Sequence, residues 1–74
     1  MMVVLHGNQK EIPTPEGFRW GFGTALKKKS GSNWYGKVTG FYSTEQTPEG
    51  YAVESWVHRG SVQFYPAQAL EACE

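Results

Sequence analysis

Turn signals cut this chain into short segments about ten residues apart, and that spacing points to a small β architecture. Residues 30–33 (SGSN) form one turn. Residues 44–50 (TEQTPEG) form a loop in which Pro48 and Gly50 suit the second and fourth positions of a type I turn, and residues 58–60 (HRG) form a short turn. The runs between them read as strands. Residues 18–30 (FRWGFGTALKKKS) alternate, with Trp20, Phe22 and Thr24 on one face, thinned by Gly21 and Gly23. Residues 34–43 (WYGKVTGFYS) are rich in aromatic and β-branched side chains. Residues 51–57 (YAVESWV) give a third strand and residues 61–66 (SVQFYP) a fourth, stopped by Pro66. The closing AQALEACE reads as a turn with one helical turn and Leu70 as a core anchor. Residues 1–17 show no clean period and contain Pro13, Pro15 and Gly17. They read as a loosely ordered N-terminal arm, and residues 18–74 as a single small barrel, whose closure hides strand edges.

Size makes such a barrel marginal. A chain of 74 residues buries only about 60% of the surface it exposes when unfolded. The one cysteine, Cys73, cannot form an internal disulfide and reads as an inert thiol on a frayed tail, a usage that fits a reducing compartment. His6, His58 and Cys73 lack the close spacing of a zinc site, so no metal is expected. Self-association remains as the source of extra stability. The formal net charge of zero offers no global field for nucleic acid. No window approaches the roughly 20 apolar residues of a membrane-spanning helix. The expectation is a soluble, cytoplasmic protein with neither a nucleic-acid nor a membrane partner.

Catalytic side chains are scarce. Aspartate is absent, and most of the seven glutamates fall in turns or tails. Glu54 lies within a strand but shows neither the reach nor the environment of a general acid. An enzyme built this way would work by positioning its reactants. Lys27, Lys28 and Lys29 end the first strand, and alternation sets Lys28 opposite the other two. A solvated strand end explains them, as does a local cationic site for phosphate or carboxylate. In VQFY, Val62 and Phe64 share one face and are expected inside. Gln63 and Tyr65 then project outward as a hydrogen-bonding pair. His58 reads as a surface turn residue or a pH-sensitive interface group.

The segments KKSG, W-x-G-x-V-x-G-x-Y, QTPEGYAVES, H-x-GSVQ-x-YP and AL-E together resemble the type II, plasmid-borne, trimethoprim-resistant dihydrofolate reductases. The similarity runs from about residue 20 to 71. It implies an SH3-like barrel of about five short strands, assembled as a homotetramer with 222 symmetry around one central pore. It also implies NADPH as cofactor and dihydrofolate as substrate. By the same resemblance Lys28, Ser61, Val62, Gln63, Phe64 and Tyr65 line the binding site, and Trp34, Ser55 and His58 lie at subunit contacts, with Ser55 partnering His58. Hydride would pass to dihydrofolate between aligned rings, with the proton taken from solvent. Activity would then rise as pH falls until His58 charges. Three positions depart from the pattern: Phe64 for an isoleucine, Trp56 for a small acidic residue and Arg59 for a proline. A larger ring inside the barrel would risk overpacking, which costs about 1–3 kcal/mol. The alternatives are a non-catalytic relative and a monomeric SH3-like module that binds peptides.

Overall fold

The computed structural model describes the backbone of residues 3–6 and 12–73, and the side chains of residues 12–73. Strands β1 (Val3–His6), β2 (Ala25–Lys28), β3 (Tyr35–Ser43), β4 (Gly50–Ser55), β5 (Val62–Pro66) and β6 (Leu70–Ala72) form one antiparallel sheet, with a 3-10 turn at Ala67–Ala69 between the last two. The order is β5-β4-β3-β2-β6. β3 is long enough to take two neighbours on one side: its first half pairs with β2 and its second half with β1.

The all-β class is as the sequence indicates. Several boundaries differ: β4 ends at Ser55 and not at Val57, and Leu70–Ala72 pairs with β2 as a strand where a closing turn is expected. Residues 18–24 do not continue into a strand. They turn, with Gly17 and Gly23 at φ of 88° and 85°, a region that costs side-chain-bearing residues 1–2 kcal/mol or so. Only Ala25–Lys28 pairs as a strand. Within the expected arm, Val3–His6 pairs with β3 from Ser43 back to Gly40, so the backbone of this piece is held in the sheet.

Leu26, Val38, Phe41, Tyr51, Val53, Ala67 and Leu70 form the core. Val38 and Phe41 are three apart, which strict alternation would put on opposite faces. A bulge resolves this: Val38 pairs with Val53 and Gly40 with Ala52, so β3 carries one extra residue, Thr39. Phe18 and Trp20, from the segment that turns instead of pairing, pack edge-on or tilted against Tyr51 at 5.5 and 5.2 Å. Leu70 is a core anchor as expected. The tail is not frayed at Cys73, whose N–H donates to the carbonyl of Ala25 at 3.0 Å.

β5 faces the other way from the sequence expectation. Val62 and Phe64 are 38% and 44% exposed, whereas Tyr65 packs against the core. The Phe64 ring meets Tyr42 edge-on at 5.5 Å on the outer face. Overpacking of the interior therefore does not arise. Small residues make room for these rings: a Cβ on Gly50 would lie 2.2 Å from the Tyr42 ring, and Ala52 pairs with both Gly40 and Phe64.

Candidate functional site

The lysine run is divided by the strand it ends. Lys27 reaches Glu71 across the β2–β6 pair at 3.8 Å, a half-exposed ion pair of little energetic weight. Lys28 points the other way. Its ammonium sits 5.0 Å from the centre of the Tyr65 ring, a cation–π contact. The Tyr65 hydroxyl in turn donates to the side-chain carbonyl of Gln63. Lys28, Tyr65 and Gln63 thus form one continuous chain of contacts joining β2 to β5. Those strands are three places apart in the sheet order, so the sheet curls to bring them together.

Around this line the remaining expected binding residues fall on or beside the same strand. Val62, Gln63 and Phe64 are exposed along β5, and Ser61 precedes it. Ser61 is held by its backbone: its N–H donates to His58 and its carbonyl accepts from Ser55. The face with Lys28, Gln63 and Tyr65 carries a tyrosine hydroxyl, an amide and an ammonium, and the opposite face of β5 carries the apolar Val62 and Phe64. The face with Lys28 can hold flat, polar-edged molecules and an anionic group, and Lys28, Gln63 and Tyr65 include no carboxylate or imidazole for proton transfer.

The three residues expected at subunit contacts meet at a different place. Trp34, Ser55 and His58 line a cleft of about 350 Å³ with Asn33, Tyr35 and Val57. Trp34 is fixed by an indole N–H bond to the carbonyl of Val53 at 3.0 Å. Within the chain the buried Ser55 hydroxyl accepts the backbone N–H groups of Val57 and His58, both at 3.0 Å. Beside the cleft, Tyr35 and Trp56 pack edge-on at 6.3 Å and are both substantially exposed, as is Val57. Glu54 closes the adjacent turn by accepting from Gly60 N–H at 2.9 Å, which is a structural use.

Two features escaped the sequence reading. One is Ser32, whose hydroxyl lies 3.3 Å from the Lys28 ammonium; a serine four residues after a lysine, across a glycine turn, is a signal only once the lysine matters. The other is a polar hub under the segment 18–24. The Tyr51 hydroxyl donates to Glu49 and accepts from the N–H groups of Arg19 and Trp20 at 3.1 and 3.2 Å. Glu49 also takes the guanidinium and N–H of Arg19. Burial and then the bond to Glu49 push Tyr51 from 10.0 up to about 12. Burial alone would raise Glu49, but the bonds from Tyr51 and Arg19 together with the arginine charge leave it below its usual range.

The fold defines a small all-β domain whose strand β5 exposes polar and aromatic residues. The profile of the R67 dihydrofolate reductase family matches residues 7–74. Two Escherichia coli proteins named dihydrofolate reductase type 2 are similar to this chain. One is 54% identical over 57 residues, 77% of this chain and 73% of the relative. The other is 56% identical over 61 residues, 82% and 78% of the two chains. The chain belongs to the R67 dihydrofolate reductase family.

Proposed function

We propose that this protein is an NADPH-dependent dihydrofolate reductase that works by positioning, in a pore shared by four copies. Family membership at more than half identity carries the activity. The observation on this chain that supports the site is the Lys28–Tyr65–Gln63 chain of contacts. The donor set suits the cofactor: a lysine ammonium, not neutralised by a carboxylate among the described residues, can face a phosphate, while Gln63 offers an amide edge to a flat ring. The bound cofactor supplies the hydride. The protein's residues orient and exclude. Val62 and Phe64 give apolar contact, Gln63 and the β5 backbone give hydrogen bonds, and Lys28 holds an anionic group. None of the proposed site residues is a carboxylic acid or an imidazole, so the proton comes from solvent or arrives with dihydrofolate.

Assembly follows from size and surface. The strand order and the curl that brings Lys28 onto Tyr65 support an SH3-like barrel over residues 18–74, to which the Val3–His6 strand adds along β3. One such barrel is too small to enclose two ligands. Its exposed Tyr35, Trp56, Val57, Val62 and Phe64 favour burial against other copies, consistent with a 222-symmetric homotetramer whose contacts include Trp34, Ser55 and His58. The protein would act in the cytoplasm and resist trimethoprim. Following NADPH oxidation at 340 nm, with dihydrofolate and with or without trimethoprim, tests this reading. Turnover insensitive to the drug, from a species of four-subunit mass on size exclusion, is expected. Absence of turnover, or a monomer at neutral pH, would overturn it.

A further inference from the structure

The loop between β2 and β3 and the Tyr65 ring of β5 contact the Lys28 ammonium. Below it is the Tyr65 ring, at 5.0 Å. Beside it is the Ser32 hydroxyl, at 3.3 Å. Gly31 leaves room on a further side: a Cβ there would lie 3.4 Å from the ammonium nitrogen, and its φ of 82° disfavours any side chain. The ring is itself fixed, because its hydroxyl is bonded to Gln63. The loop is closed at its base by Lys28 N–H donating to the Trp34 carbonyl at 2.9 Å. A long, flexible side chain is therefore pre-set in one position, which lowers the ordering cost of using it.

Hydrogen-bond bookkeeping then assigns Ser32 a part. An ammonium can only donate, so the Ser32 oxygen is the acceptor in this pair. The hydroxyl hydrogen is left to donate, and it is polarised by the cation that its oxygen faces. Among the described residues Lys28 makes no ion pair, whereas Lys27 and Arg19 each have a carboxylate. Ser32 is exposed and Lys28 partly so. Two donors, one charged and one neutral, thus stand together at the open side of the site.

We infer that Ser32 is a further ligand-binding residue, forming with Lys28 a two-donor seat for an anionic group of the reactants. This rests on the proposed function, which supplies two candidate anions: a phosphate of the cofactor and a carboxylate of the folate tail. Lys28 attracts either as a point charge, and Ser32 adds the directed bond that fixes where the anion stops.

Fragment binding tests the seat without any turnover. Adenosine 2′,5′-bisphosphate carries the cofactor's phosphates, and p-aminobenzoylglutamate carries the folate carboxylates. Each is titrated by calorimetry into the wild type, Ser32→Ala and Ser32→Thr proteins, all checked for the same thermal transition. Loss of one bond to an anion should weaken one fragment about fivefold to tenfold in Ser32→Ala, with Ser32→Thr within about twofold of wild type. The affected fragment identifies the anion. In turnover, the KM of the matching reactant should rise by the same factor at unchanged kcat. Wild type that binds neither fragment, or Ser32→Ala that binds both within about twofold of wild type, overturns the inference. A chain that binds a fragment through Ser32 but never oxidises NADPH would refute the proposed function and leave the seat standing.

Discussion

Replacing Tyr51 by phenylalanine isolates the polar hub from the packing around it. The ring contacts to Phe18, Trp20 and Phe41, at 5.5, 5.2 and 5.9 Å, need no hydroxyl and should persist. Three hydrogen bonds disappear. The one to Glu49 involves a charged acceptor, a type worth about 1.5–3 kcal/mol. Arg19 N–H keeps Glu49 as an acceptor, but Trp20 N–H loses the Tyr51 oxygen. Allowing for partial relaxation, the loss should be about 2–3 kcal/mol, or roughly 10–20 °C in Tm for a domain of this size. Urea titration by circular dichroism at fixed protein concentration measures it, because an assembling protein's stability depends on concentration. The hub makes a second, signed demand. Tyr51 is raised from 10.0 to about 12 in the folded state, so its contribution is fully present below pH 10 and is lost as pH rises through 12. The difference between wild type and Tyr51→Phe should therefore shrink across that window. A loss under about 0.5 kcal/mol at pH 7, or a difference that stays constant up to pH 12, would refute the assignment of Tyr51 as the clasp of this segment.

Three further outcomes are expected. Glu49→Gln should cost about 1–2 kcal/mol at pH 7 and flatten the acid limb of a stability–pH curve. The sign follows from a lowered folded pKa: the wild-type contribution is present above the ordinary value of 4.5 and fades as pH falls through the lowered one. Gly36→Ala should remove the cooperative urea transition, because its Cβ would lie 1.7 Å from the Glu54 carbonyl and force β3 off β4. Phe64→Ile should lose the edge-on contact with Tyr42, worth about 0.5–1.5 kcal/mol in the same titration; no measurable loss would mean that this contact carries no weight.

The sequence by itself determined the all-β class, the stop of β5 at Pro66, a turn before Leu70 and the family. These rest on turn chemistry, on β-branched and aromatic runs, and on motifs that are local in the chain. Lys28, Gln63 and Tyr65 were legible as candidates, but nothing in the sequence says that they touch. Tertiary structure alone decided which face of β5 is inward. A period of two sorts Val62 and Phe64 from Gln63 and Tyr65, yet it carries no sign, and apolar or aromatic residues stand on both faces. It also decided that residues 18–22 turn instead of pairing, because Tyr51 and Glu49, some 30 residues away, supply the acceptors that a strand partner would have given to Arg19 and Trp20. The same holds for Ser32. Its place beside Lys28 is set by a left-handed glycine and a curled sheet, and long-range geometry of that kind leaves no periodic trace in a sequence.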